Sequence, residues 1–118
     1  MTEDLLIQTL SQQGYPVRLQ GSLLPDEKYP DSFFTFWEHS SDSDSFYDNR
    51  DNAIIEVYDV NFYSTDPNKV YSVLRSAIAD LKQEGFIVSG DGRSMPSDEP
   101  THDGRGVTVK YRKKVNYG

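Results

Sequence analysis

A chain of 118 residues is enough for one compact domain of ordinary size. Its 19 acidic and 12 basic residues give a formal charge of −7, the wrong sign for a dedicated nucleic-acid binder or for an anionic membrane surface. Cysteine is absent, which removes disulfides, thiolate catalysis and Cys-based zinc sites, while eight Tyr, six Phe and one Trp supply core rings where the hydrophobic fraction is only 36%.

No apolar run approaches the roughly 20 residues that span a bilayer, and the opening MTEDLLIQTL carries acid where a signal peptide carries positive charge. Thr2 is a cap candidate for a helix whose first turn holds Glu3 and Asp4, the sign that the helix dipole favours there. Leu6, Ile7 and Leu10 give it a short apolar face, and Gly14 is a natural stop. Residues 15–19 predict a brief edge strand, since Pro16 has no N–H for a ladder. Residues 21–31, with Pro25 and Pro30, read as loop, and residues 33–38 (FFTFWE) are a dense β run.

The polar stretch SSDSDSFYDNRDN follows at residues 40–52. Residues 53–63 then predict a long strand, with Tyr58, Val60 and Phe62 on one side and Asp59 and Asn61 on the other. Ile55 and Val57 fall on the opposite parity, which a bulge near Val57 and Tyr58 or partial cover on both faces explains. The two β runs predict a hairpin with an oversized tip. Thr65, Asp66 and Pro67 are a helix start, and Val70, Leu74, Ala77, Ile78 and Leu81 recur at helical spacing until Gly85, predicting a helix over 67–84. Residues 86–89 predict a short strand and residues 90–104 a second polar loop. Val107, Val109 and Tyr111 alternate with Thr108, Lys110 and Arg112 as a closing strand.

The expected fold is therefore one α+β domain over residues 1–118. It is a small, mainly antiparallel sheet with two helices packed on one face, in the order α-β-β-β-α-β-β. Mobile polar loops are expected at about 40–52 and 90–104, with a frayed tail at 113–118.

Chemistry-bearing patterns are weak. Asp42 and Asp44 begin like a calcium loop, but Phe46, Tyr47 and Ala53 stand where that loop needs a ligand, a glycine and a glutamate. Looser cation binding by Asp42, Asp44 and Asp48 stays open beside the plainer reading, a solvated hairpin tip. Asp98, Glu99, His102 and Asp103 cluster among Pro, Ser and Gly, where water keeps carboxylates ordinary, and nothing in the spacing brings His39 to His102. Gly104-Arg105-Gly106 reads as a turn into the last strand rather than a phosphate cradle. Lys110, Arg112, Lys113 and Lys114 form the one basic cluster: a phosphate-contacting patch, the solvent face of a terminal strand, or a salt link to an acidic neighbouring subunit.

Taken together, YPDSFFTFWE, the Asp/Ser insertion, IIEVYDVNFYSTDPNKVYSVLRSAIADLKQEGF and DEPTHDGRGVTVKYRKK resemble the small tail-completion or tail-terminator proteins of long-tailed bacteriophages, most of all those of phages and prophages of Gram-positive bacteria. The likeness covers residues 15–113 and lies in the order of elements rather than in a short signature. It implies a non-enzymatic virion assembly protein without cofactor or metal, assembled in the host cytoplasm. Such proteins form a ring, commonly a hexamer, at the head-proximal end of the tail tube, where they stop tube growth and meet the head connector. DNA passes through the lumen without sequence-specific contact. In that role Asp42, Asp44, Asp48 and Asp51 would give a lumen that does not grip phosphates, or Phe46 and Tyr47 would anchor the same stretch on tube or connector. A generic protein–protein interaction module, and a metal-dependent hydrolase using Asp98, Glu99 and His102, are the competing readings.

Overall fold

The computed structural model describes residues 2–20, 30–38, 46–48, 53–97 and 100–114. Helix α1 (Thr2–Ser11) is followed by strands β1 (Val17–Leu19), β2 (Ser32–Glu38), β3 (Phe46–Asp48) and β4 (Ala53–Ser64). Helix α2 (Pro67–Gln83) then leads to β5 (Ile87–Val88), β6 (Arg93–Met95) and β7 (Asp103–Lys114). The strands form one sheet in the order β1-β2-β4-β7-β5, with β3 added to β4 and β6 added to β7. Among the described residues only β1 and β2 pair in parallel; the other pairings are antiparallel. The protein is thus an α+β domain built on a mainly antiparallel sheet.

Alternation decides which side of the sheet the helices take. Phe34 and Phe36 of β2, Tyr58, Val60 and Phe62 of β4, and Val107 and Val109 of β7 share one face, because their registers place Phe34 opposite Phe62 and Val60 opposite Val107. Leu6 and Leu10 of α1 and Leu74, Ala77, Ile78 and Leu81 of α2 close on these residues to form the core. Each large aliphatic side chain buried there contributes about 1.5–3 kcal/mol relative to exposure. Phe34 and Phe62 meet at a tilted 4.6 Å, and Tyr15 meets the edge of Phe62 at 5.4 Å.

The ends of α2 follow from its sequence. Asp66 is extended, and its Oδ1 accepts from the Asn68 N–H at 3.0 Å, with Pro67 at the first helical position. At the other end the Glu84 N–H reaches back to Asp80 O, and Gly85 takes φ +99°, a conformation that glycine tolerates and that turns the chain into β5. Helix α1 departs from expectation at its start. The Thr2 hydroxyl does not cap the helix; it donates to Glu56 Oε1 on β4 at 3.0 Å and ties the helix end to the sheet. Gln13 Nε2 donates to Asp80 Oδ2 and links α1 to α2.

Two strands lie inside segments read as loop, so the order is α-β-β-β-β-α-β-β-β. Within residues 40–52, Phe46, Tyr47 and Asp48 pair with Ile55, Ile54 and Ala53. Within residues 90–104, Arg93, Ser94 and Met95 pair with Gly106, Arg105 and Gly104. Consequently β7 begins at Asp103, where Gly104 and Gly106 hide the alternation, and it stays paired to Lys114, where fraying was expected. The bulge near Val57 is absent: β4 pairs with β7 without interruption from Ala53 to Ser64. Ile55 and Val57 instead lie half-buried on the face away from the helices.

Candidate functional site

That second face is assembled from the alternate residues of the same strands. Phe33, Thr35 and Trp37 of β2 stand opposite Tyr63, Asn61 and Asp59 of β4. Beyond β4, β7 offers Gly104 and Gly106, so the Tyr63 ring and the Asn61 amide lie across it unobstructed. Met95 and Arg93, carried on β6, border this side, and Arg18, carried on β1, borders the other. Together they line a groove of about 430 Å³.

The floor is aromatic and largely buried. Phe33 stacks on Tyr63 at 5.4 Å and takes the edge of His102 at 5.9 Å. Asn61 and Phe33 are buried, whereas Trp37 keeps 40% of its surface exposed. The Thr108 hydroxyl donates to Asp59 Oδ1 at 3.0 Å. Thr35 differs from its neighbours. Its side chain is 7% exposed, yet among the described residues its Oγ1 is the buried side-chain oxygen with no hydrogen-bond partner. Such a group costs free energy until something bonds to it.

A second polar cluster lies at the start of α1. The Tyr58 hydroxyl, on a side chain 1% exposed, donates to Glu56 Oε2 at 3.2 Å. Partial burial raises the Glu38 carboxyl above its ordinary value, and the negative charges of Glu56 and Glu3 raise it further. Burial, followed by Glu56 and Glu38, pushes the Tyr58 hydroxyl well above the usual tyrosine range. Both shifts favour the protonated form.

The residues singled out in the sequence are scattered. Asp42, Asp44, Asp51, His39, Asp98 and Glu99 lie outside the described residues. Phe46, Tyr47 and Asp48 belong to β3 rather than to a free tip. Lys110 and Arg112 stand on the grooved face, opposite Val57 and Ile55 and beyond the groove, while Lys113 and Lys114 continue the ladder. His102 is buried, with Nδ1 at 3.1 Å from the hydroxyl of its neighbour Thr101 and Nε2 at 2.8 Å from Pro30 O, so both ring nitrogens are engaged and the second contact ties the segment before β7 to the segment before β2. Among the described residues no three His, Asp or Glu side chains converge to hold a metal ion. Gly104-Arg105-Gly106 is strand, not turn. Arg105 lies 4.9 Å over the Tyr71 ring and donates from Nη2 to Gly92 O.

Sequence reasoning missed Arg18, Thr35, Arg93 and Met95. The available signal was the run FFTFWE itself, which is apolar at both parities and so announces a strand covered on two sides. No protein-family model matches the chain, and no curated protein matches it either. Among the described residues no helix is long and apolar enough to cross a membrane.

Proposed function

We propose that this protein is a virion assembly protein of a long-tailed bacteriophage, which closes the head-proximal end of the tail tube as a ring of identical copies and joins it to the head connector. A closed ring needs two different surfaces on one subunit, each fitting the other across a rotation. The observation that carries the reading is the pair of sheet edges. Strands β1 and β5 end the sheet on opposite sides, and among the described residues neither pairs further. Each carries an exposed large aliphatic side chain, Leu19 at 53% and Ile87 at 54%. Unpaired backbone beside exposed apolar surface is the ordinary means by which sheets recruit neighbours.

The sequence resemblance over residues 15–113 supplies the place of that ring in the virion. The charge of −7 agrees with a lumen through which DNA slides without being gripped. The partners are other copies of the chain, the tube protein and the connector protein. Electron microscopy of polymerising tail tubes tests the reading. With this protein added, tubes should stop lengthening, carry a disc at one end and bind connector there. Bare ends and unchanged growth would overturn it.

A further inference from the structure

We propose that the groove on the helix-free face is a carboxylate seat, filled in the assembled ring by the Asp/Ser stretch of a second copy, with Asp42 and Asp44 as its anchoring groups. This deepens the ring reading and rests on it for the presence of a neighbouring copy.

The groove asks for an acceptor. Thr35 Oγ1 is buried without a partner, and its O–H can donate to a carboxylate oxygen. Arg18 stands beside Thr35 in the parallel register of β1 and β2, on the same face. Arg93 enters from the opposite border, four strand spacings away, which is about 19 Å of backbone separation. Among the described residues neither guanidinium forms an ion pair. Asp59, the acid within the groove, already accepts from Thr108. Among the described lining residues two arginines face one aspartate, a net positive charge inside a chain whose total is −7. Phe33 is buried and Met95 half-buried along it, and a charge-assisted bond is stronger where such apolar surface lowers the local dielectric.

The complementary chemistry is in the same sequence. Residues 40–45 read SSDSDS, two carboxylates among four hydroxyls with no basic group. On a chain of net charge −7 this acidic stretch finds few complementary places, and the Arg18–Thr35 corner is one of them. Lys110 and Arg112 lie further along the same face and steer its approach.

Trp37 is the only tryptophan and borders the groove, so its fluorescence reports occupancy directly. The test titrates the 118-residue chain with the peptide HSSDSDS (residues 39–45). A saturable change in Trp37 emission below about 1 mM is expected, with roughly tenfold weaker binding to Arg18→Gln and to Thr35→Val. Circular dichroism should show both variants folded. The peptide carrying Asn for Asp42 and Asp44 should be silent. No emission change, an equal response to that Asn peptide, or an equal response to an unrelated heptapeptide of the same charge would each overturn the seat. An emission shift on Asp42→Asn with Asp44→Asn in the full chain, the same at every protein concentration, would place the occupant in the same chain and overturn the second copy. Peptide binding without tube-end discs sinks the ring reading alone; discs without peptide binding sink the seat alone.

Discussion

The ring of Tyr63 lies so close over Gly104, its partner on the neighbouring strand, that a Cβ built there would stand 2.6 Å from the ring. Gly106 lies in the same way under the amide of Asn61 and the side chain of Met95. Overpacking at either position forces ring or amide out of place, at a typical cost of about 1–3 kcal/mol. Gly104→Ala and Gly106→Ala should each lower the free energy of unfolding by that amount, read as a lower denaturation midpoint. Midpoints unchanged from the parent would mean that the face tolerates side chains there.

Leu74 is fully buried on α2 against the sheet. Leu74→Ala should cost about 2–5 kcal/mol in urea unfolding, from lost transfer energy plus the cavity left behind. Ile87→Ala, at an exposed edge position, should stay within about 0.5 kcal/mol of the parent in the same measurement.

Asp66 accepts the Asn68 N–H that α2 leaves without an intrahelical partner, and its own N–H bonds the buried Ser64 Oγ. Asp66→Ala keeps the second contact and loses the first. The expected loss is about 1 kcal/mol, read as a lower melting temperature with unchanged helix signal.

Glu38 titrates above its ordinary value of 4.5 in the folded protein, through partial burial and then through Glu56 and Glu3. The folded state thus holds this proton more tightly than the unfolded chain. Its contribution is full below the unfolded value and is lost as pH rises through the folded one. Glu38→Gln should match the parent near pH 3 and become more stable toward neutral pH, by less than about 1 kcal/mol because Glu38 is largely exposed. A gain confined to acid pH would contradict the sign.

Thr35→Val removes a buried hydroxyl that has no partner among the described residues. The variant should unfold at a higher temperature, by up to about 1 kcal/mol of added stability, while carrying the weaker peptide binding described above. A lower melting temperature would show the hydroxyl bonded in the free protein.

The legible part of the molecule was the part with a clean period. The helix spacing from Val70 to Leu81, the Asp66–Pro67 start and the alternation of Tyr58, Val60 and Phe62 gave α2, β4 and the helix-covered face directly. The strands that were missed, β3 and β6, are three residues each and exist through pairing with β4 and β7. Their local composition, rich in Ser, Asp, Gly and Pro, belongs to turns, and only a distant partner overrides it. Gly104 and Gly106 concealed the start of β7 for a related reason: their value lies in the side chains that cross above them. The groove was illegible because Arg18, Thr35, Asn61 and Arg93 come from four strands far apart in sequence, and no spacing rule joins them.

Strand β2 answers to two masters. Phe34 and Phe36 serve the interior shared with the helices, while Phe33, Thr35 and Trp37 serve the other side. A saturation scan through these five positions should therefore read like a comb. Variants at 34 and 36 would vanish from the soluble fraction, whereas at 35 and 37 many would remain abundant yet lose the binding proposed for the groove. A single strand would then encode separately, tooth by tooth, whether the chain survives and whether it keeps its proposed company.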